Sequence, residues 1–403
     1  MTDLSTRFGQ AMAELPDPGE AAAVAVSGGP DSMALALLLR DLFRGQGRQL
    51  TALVVDHGLR SGSGAEARLV ADRLAHASIP AIILRWGDAR SGTALQARAR
   101  DARYRLMLDW CRANGVRSLF VGHHADDQAA TVAMRIARGS GLDGLGAMRP
   151  ATWREGIGIF RPLLQVAKQD LLAWLSARAV AWVEDPTNDD PRHERNRIDG
   201  ELAVHPQSLQ HRQRLNRLAR RAARATDALQ LWTGRAWQEM AATGIAGDVT
   251  LDLDGFRALP EEIRLRLLLR AVEQAGGTAA GLEKAENALE RLQHGATVTA
   301  LTLGHALVRQ SGRRLRVERE RRNLPCLDWQ PDAPRSLLWD GRFRLDLSAP
   351  LAVPVMIGPG RSDSALLPVV YRDGDPLGCP VRQPVMLPGD VAVHATALFA
   401  PPG

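Results

Sequence analysis

Ala21-Ala22-Ala23-Val24-Ala25-Val26-Ser27-Gly28-Gly29-Pro30-Asp31-Ser32 is the stretch from which the chain is read. The apolar run 21–26 has the length and composition of a buried strand. It enters Ser27-Gly28-Gly29-Pro30-Asp31-Ser32 without a break, and Met33-Ala34-Leu35-Ala36-Leu37-Leu38-Leu39 follows as a helix. Strand, glycine turn and helix in that order build an anion site. Glycines let backbone N–H groups turn toward a phosphate, and the helix N-terminus adds its dipole. The spacing is not that of a Walker A loop, because no lysine follows the turn. It also lacks the three-glycine spacing of a dinucleotide fingerprint. The plainer reading is a strand-to-helix turn N-capped by Asp31. The serines, glycines and aspartate together in this frame favour the phosphate site.

Ser-Gly-Gly-x-Asp-Ser resembles the PP-loop of the ATP pyrophosphatase enzymes, which break ATP between its α and β phosphates. Outward from this turn, strand and helix patterns alternate. Strands are expected over 21–27, 50–56, 79–86 and 118–122, and helices over 31–43, 64–77, 94–114 and 126–138. The alternation predicts an α/β fold with a doubly wound parallel sheet. Ligands of such sheets sit at the C-terminal ends of the strands. The distinctive polar residues fall there: 27–32 after the first strand, Asp56-His57 after the second, Gly122-His123-His124 after the fourth. Asp56-His57-Gly58 reads equally as a simple turn and as a ribose or adenine contact. His123-His124-Ala125-Asp126-Asp127-Gln128 has a metal-like look, yet adjacent histidines point apart, which argues against zinc. Mg²⁺ carried with ATP and held by a carboxylate fits better. Asp126 or Asp127 also suits the N-cap of the next helix.

A chain of 403 residues, 45% hydrophobic and 24% charged, predicts a globular protein of two or three domains. Its apolar runs are too short to span a membrane, and Met1-Thr2-Asp3-Leu4-Ser5 lacks a signal peptide's basic start, so the expected location is cytoplasmic. Cys111, Cys326 and Cys379 form no C-x-x-C pair, which argues against a disulfide framework, a zinc site or an iron–sulfur cluster. Cys111 sits in a helical pattern as a small core residue. The net charge of +6 and a pI near 9.9 favour a polyanionic partner. Lys168 and Lys284 are the only lysines, so arginine carries the positive charge, and arginine suits phosphate contact.

Past residue 138 the chain runs through a glycine-rich segment, Gly139-Ser140-Gly141-Leu142-Asp143-Gly144, which reads as a capped helix end or as a mobile basic loop over the site. A helix is expected over 166–178, then acidic turns and a basic block, Arg192-His193-Glu194-Arg195-Asn196-Arg197-Ile198. Residues 207–240 form one long helical pattern carrying Arg212, Arg214, Arg217, Arg220, Arg221 and Arg224. Such a run is either a solvated face or a track for RNA phosphates. Next come a turn over 252–259, helices over 261–275 and 281–293, and strands over 300–303, 307–310 and 313–318. Short apolar runs over 336–347 and 351–357 predict β structure to the end of the chain. The expected organisation is a catalytic domain over 1–205, a basic helical linker over 206–243, a smaller α/β domain over 244–322 and a β-rich region over 323–403.

Together the motifs resemble one family, tRNA(Ile)-lysidine synthetase. They are the 27–32 loop; Val55-Asp56-His57-Gly58-Leu59-Arg60 with Glu66-Ala67; Ala99-Arg100 with Arg103-Tyr104; and Gly122-His123-His124-Ala125-Asp126-Asp127-Gln128. Arg138-Gly139-Ser140-Gly141-Leu142, Arg161-Pro162-Leu163, Glu184-Asp185-Pro186-Thr187-Asn188 and Arg195-Asn196-Arg197-Ile198 complete them. The resemblance implies ATP as co-substrate with Mg²⁺, an isoleucine tRNA with a CAU anticodon, and free L-lysine. ATP would adenylate the C2 oxygen of the wobble cytosine, and the lysine ε-amine would displace AMP. It implies that Ser27, Gly28, Gly29, Pro30, Asp31 and Ser32 hold the phosphates, with Asp31 on the metal and Asp56 and His57 on the nucleoside. Arg103 would contact phosphate or cytosine, His123 the α-phosphate, and Asp126 or Asp127 the lysine ammonium. Arg138, Arg195 and Arg197, with the arginines of 212–224, would face the tRNA. One departure stands out: Asp199 occupies a position where family members often carry a further arginine. A tRNA thiolase would want paired cysteines, and an amidotransferase-type synthetase an ammonia source. Neither is visible, and an intact loop argues against a non-catalytic binding protein.

Overall fold

Residues 21–25 form a central strand because they are buried on both sides. In the computed structural model β1 (Ala21–Ala25) sends Ala22 and Val24 into one core and Ala23 into another. Alternate side chains of a strand point to opposite faces, so a run that is apolar throughout suits only an interior position. The structure describes residues 3–58, 62–87, 95–183, 194–204, 208–294, 300–361 and 365–398, without the side chains of 95–100, 196, 294 and 323. The chain divides into two units, Met1–Thr226 and Asp227–Gly403.

In the first unit β1 lies between β2 (Gln49–Asp56) and β4 (Ser118–Phe120). With β3 (Ala81–Arg85), β5 (Ala151–Arg154) and β6 (Ile157–Phe160), the six-stranded order is β3-β2-β1-β4-β6-β5. All pairings are parallel except β5 with β6. The order reverses direction beside β1, so the β1/β4 boundary is the sheet's switch point, where such folds open a crevice. One face is covered by α1 (Leu4–Ala13), α2 (Pro30–Arg44), α3 (Ser63–His76) and α7 (Lys168–Ser176), through Phe8, Leu35, Leu74 and Leu171. The other is covered by α4 (Leu95–Ala113), through Met107, Leu108 and Cys111. Burial pushes the Cys111 thiol up to about 11, as befits an inert core cysteine. α5 (Ala125–Ala137) packs with α8 (Glu194–Val204) and the start of α9 (Ser208–Met240) around Ala130, Ile198, Leu202 and Leu215.

Several elements differ from the sequence expectation. β5 and β6 form a hairpin not foreseen, turned by Glu155 and Gly156 at φ 52° and 80°. The glycine-rich segment after α5 holds a short helix, α6 (Leu142–Leu145). The turn expected over 252–259 is the end of β8 (Val249–Asp252) followed by α10 (Leu253–Ala258), whose Gly255 N–H is accepted by the Asp252 side chain at 2.8 Å.

The second unit begins with an antiparallel sheet of order β7-β8-β11-β10-β9. Its further strands are β7 (Ala241–Thr243), β9 (Ala300–Leu303), β10 (Ala306–Ser311) and β11 (Arg314–Arg319). α11 (Glu261–Gln274) and α12 (Leu282–His294) close its core with Leu268 and Leu289. Beyond it are two four-stranded antiparallel sheets. One is ordered β12 (Leu327–Trp329), β15 (Val355–Pro359), β16 (Pro368–Arg372), β17 (Asp375–Gly378). The other is ordered β13 (Ser336–Trp339), β14 (Phe343–Leu347), β19 (Val391–Ala397), β18 (Val385–Leu387). They share one core through Trp329, Trp339, Phe343, Ile357 and Val393. Arg342, 3% exposed, donates to the carbonyls of Ala246 and Leu366 at 2.6 and 3.0 Å and pairs with Asp340 at 2.7 Å. Among the described residues no helix is long and apolar enough to cross a membrane.

Candidate active site

The 27–32 turn leaves the C-terminal end of β1 and closes on itself. Ser32 Oγ accepts from the Ser27 amide at 3.2 Å and donates to the Gly29 carbonyl at 3.0 Å. The Ser32 hydroxyl proton is therefore spent inside the loop. Gly28 has φ +89°, and a Cβ there would lie 2.5 Å from Val70 Cγ2, so only glycine makes this turn against α3. Gly29 is the N-cap of α2 and Pro30 opens it, with no side chain capping the end. The first-turn amides are left for an anion. Asp31 is not a cap. It sits in the first turn, with Oδ1 buried and without a hydrogen-bond partner. Its Oδ2 lies 3.5 Å from His124 Nε2.

The turn after β4 comes up against this loop. A Cβ at Gly122 would lie 3.1 Å from the Ser32 amide nitrogen and 3.2 Å from the Asp31 carbonyl, so glycine permits the approach. The N-cap of α5 is His124, not either aspartate. Its Nδ1 faces the amides of Asp126 and Asp127 at 3.2 and 3.5 Å, while Asp127 Oδ2 accepts from the His124 amide at 2.9 Å. His124 is 4% exposed and stands among three carboxylates. Nε2 is 3.5 Å from both Asp31 Oδ2 and Asp127 Oδ2, and Nδ1 is 3.7 Å from Asp126 Oδ2. Two protonation states compete, since an Nδ1 that accepts amides carries no proton. The amide contacts are long, and the carboxylates prevail. Burial opposes the charge, but Asp126, Asp31 and Asp127 push the imidazole up to about 10.

Each aspartate of the pair also meets an arginine. Asp126 Oδ1 pairs with Arg212 Nη1 at 2.8 Å, and its Oδ2 accepts from the Lys168 amide at 2.8 Å. Burial works to raise this carboxyl, yet His124, the Lys168 amide and Arg212 hold it down at about 2. Asp127 pairs with Arg195. Burial opposes its charge too, and His124, Arg195 and His123 together hold it below the usual carboxylate range. Asp199 lies 3.8 Å from Arg212, and burial raises its carboxyl despite Arg195 and Arg212. Asp199 thus joins this charge cluster.

At the end of β2, Asp56 Oδ1 accepts from Gly58 N at 3.0 Å and Ser63 Oγ at 2.7 Å, which folds the turn and ties it to α3. His57 packs edge-on to Trp86, and its Nδ1 is buried without a hydrogen-bond partner. Burial first, then the Arg103 charge, lowers its pKa, so it is neutral near pH 7. Arg103 is exposed on α4. Arg138 pairs with Glu194, and Arg197 is exposed. On α9, Arg214, Arg217, Arg220, Arg221 and Arg224 are exposed, whereas the Arg212 side chain is 16% exposed. A cavity of about 580 Å³ opens beside α9, with Asp126, Gln128, Met148, Arg161, Arg212 and Asn216 among its walls. Arg60, Glu184, Asp185, Pro186, Thr187, Asn188, Arg192 and His193 lie outside the described residues, as do the side chains of Arg100 and Asn196.

A PP-loop domain model matches residues 1–205. A tRNA(Ile)-lysidine synthase of Ruegeria pomeroyi is 40% identical over 325 residues, 80% of this chain and 75% of the relative. The chain belongs to the tRNA(Ile)-lysidine synthase family. A tRNA(Ile)-lysidine synthase of Bradyrhizobium diazoefficiens is 38% identical over 320 residues, 73% of this chain and 88% of the relative. One of Mesorhizobium japonicum is 36% identical over 356 residues, 86% of this chain and 76% of the relative. The resemblance read from the motifs is borne out, and the PP-loop domain identifies ATP as the nucleotide. For a tRNA(Ile)-lysidine synthase, sequence reasoning missed the N-cap position of His124 and the arginine partners of Asp126 and Asp127. The capping-box spacing from His124 to Asp127 was a signal, hidden because histidine is an uncommon cap.

Proposed function

We propose that the chain is a tRNA(Ile)-lysidine synthase that joins free L-lysine to the wobble cytidine of an isoleucine tRNA with a CAU anticodon. The C2 oxygen of cytosine attacks the α-phosphorus of ATP, and pyrophosphate leaves. The ε-amine of lysine then attacks C2, the C2–O bond breaks, and AMP leaves. The amine gives up its protons as the C–N bond forms, so it must arrive at C2 uncharged. Lysidine pairs with adenosine rather than guanosine, which moves decoding from AUG to AUA. The protein works where tRNA, ATP and free lysine meet, in the cytoplasm.

What carries the reading is the convergence of the 27–32 loop and the His124-to-Asp127 turn at the sheet's switch point, in a chain of this family. The uncapped α2 amides and Ser27 hold the leaving pyrophosphate. The buried, unpartnered Asp31 Oδ1 matches a hard cation, and Mg²⁺ bound there supplies positive charge beside the phosphates. Asp56 and His57 flank the nucleoside. Arg103 contacts the phosphate or the cytosine, and His123 stabilises charge on the α-phosphate. Asp126 or Asp127 receives the lysine ammonium. Arg138, Arg195, Arg197 and the exposed arginines of α9 hold RNA phosphates, and residues 244–322 add a second tRNA surface.

The test is incubation with ATP, Mg²⁺, radiolabelled lysine and isoleucine tRNA bearing CAU. Lysine enters the tRNA, with AMP and pyrophosphate formed in equal amounts. No incorporation beside an active control enzyme would sink the reading.

A further inference from the structure

Arg212 differs from its neighbours on α9 by facing inward. Arg212 and Asn216 stand one turn apart on the same helix face. Both grip the turn that opens α5: Arg212 Nη1 donates to Asp126 Oδ1 at 2.8 Å, and Asn216 Nδ2 donates to the Ala125 carbonyl at 2.9 Å. Arg212 Nη2 donates to the Asp199 carbonyl at 3.3 Å. With those donors committed and the side chain 16% exposed, little of the guanidinium remains to meet an RNA phosphate.

The Asp126 carboxylate is held from two sides, by Arg212 on Oδ1 and by the Lys168 amide on Oδ2. This fixes its plane. Its Oδ2 stands 3.7 Å from His124 Nδ1, and on the far side of that ring Nε2 stands 3.5 Å from Asp31 Oδ2. The sequence of groups therefore runs from α9 to the first turn of α2 with no gap wider than 3.7 Å. We propose that Arg212 is a positioning residue for ATP: by fixing Asp126 it sets the His124 ring, and so the Asp31 carboxylate of the phosphate loop. Arg212, Asn216 and Asp126 also wall the 580 Å³ cavity. Whatever fills that cavity touches one end of a chain whose other end is the ATP loop.

Without Arg212, Asp126 is held on one oxygen only and is free to turn against the His124 ring, whose Nδ1 stands 3.7 Å from its Oδ2. That movement carries the ring away from Asp31. Lysine at 212 keeps the charge but loses the planar fork that reaches both Asp126 and the Asp199 carbonyl.

The inference rests on the PP-loop reading and on the ATP half of the proposed reaction, so its test reads ATP directly. Equilibrium binding of ATP with Mg²⁺ is measured on the full chain without tRNA. The proteins are wild type, R212A, R212K, D126N and R212A/D126N. tRNA binding is measured separately across a salt series. R212A weakens ATP by about tenfold or more, the usual scale for loss of a group that orients a ligand-binding residue. R212K falls between R212A and wild type. In the D126N background R212A costs nothing further, because its route to the loop is already cut. tRNA affinity and its salt slope stay within about twofold of wild type. ATP affinity unchanged in R212A would overturn the proposal. So would independent, multiplying losses in the double variant, or a loss confined to tRNA binding with the salt slope falling by about one. If R212A does not fold, the cycle of R212K with D126N decides on the same criterion. Failure of the wild-type protein to incorporate lysine would remove the proposed reaction and leave this ATP measurement standing.

Discussion

Asp31 and Asp126 differ in what surrounds their oxygens. Asp31 keeps one buried oxygen without a protein partner, while both oxygens of Asp126 are engaged. Asp31→Ala should therefore abolish ATP–pyrophosphate chemistry while tRNA binding survives. Activity retained within about tenfold, roughly 1.4 kcal/mol, would remove its assignment to the cation. Asp126 shows itself in the acid response. Its folded carboxyl, held at about 2, lies below the ordinary value. The stabilisation it brings is complete above about pH 4 and is lost as the pH falls through 2. His124, pushed up to about 10, acts in the opposite sense, with stabilisation complete below about pH 6.5 and lost as the pH rises through 10. Thermal midpoints measured from pH 5 to 2 should fall less steeply in Asp126→Asn than in wild type. Parallel acid limbs would show that the pair adds nothing on folding. Both aspartates were legible in the sequence because they stand at strand ends. Arg195 and Arg212 were not legible as the partners of Asp127 and Asp126, because spacing says nothing of side chains that meet across 68 and 86 residues.

The α9 helix turns one face to its own protein and another outward. Replacing Arg214, Arg217, Arg221 or Arg224 by alanine should weaken tRNA binding and lower the salt slope by about one per arginine. An unchanged slope in a titration across salt would make that face merely solvated. The loop between β1 and α2 gives a steric prediction. Gly28→Ala strains a φ of +89° and drives a methyl into Val70. It should cost about 1–3 kcal/mol and raise the Kd for ATP. Adding Val70→Ala should return the steric part of the stability and leave the backbone part. No relief in the double variant would mean that strain alone is responsible. Alternating strands and helices were legible through β4 because each apolar run had one period and a clear turn. The β5–β6 hairpin was not, since Ile157-Gly158-Ile159-Phe160 interrupts its alternation with a glycine under Trp153 and Phe160. α8 escaped notice because Glu194, Arg195, Arg197, Asp199 and Gly200 leave few apolar positions to betray its period.

At the scale of the molecule, the second unit ties its α/β portion to its β portion through the guanidinium groups of Arg342 and Arg319. Arg342 lies over Trp339 and Phe343, its stem packs on Gly276, and Asp340, which it pairs with, also takes Arg319 at 3.0 Å. Arg342→Ala leaves Asp340 short of a partner and should cost about 3 kcal/mol or more. Calorimetry should show this in the transition of the second unit, with ATP binding to the first unaffected. Loss of ATP binding would refute that independence. The C-terminal strands were legible only as β structure, because short antiparallel strands with exposed alternate positions do not declare their partners.

The switch point also sets a timetable. Ala23 pairs with Thr51 on one side and with Leu119 on the other. The first pairing closes a short crossover, the second a loop of about a hundred residues, and closing the longer loop is slow. The crevice between β1 and β4 therefore exists only after the slow closure. During synthesis the chain passes β1, β2 and β3 with half of its nucleotide pocket, and the phosphate loop waits for the wall that Gly122 brings. ATP present in a refolding mixture should leave the early phases untouched and stabilise only the species in which β4 has docked.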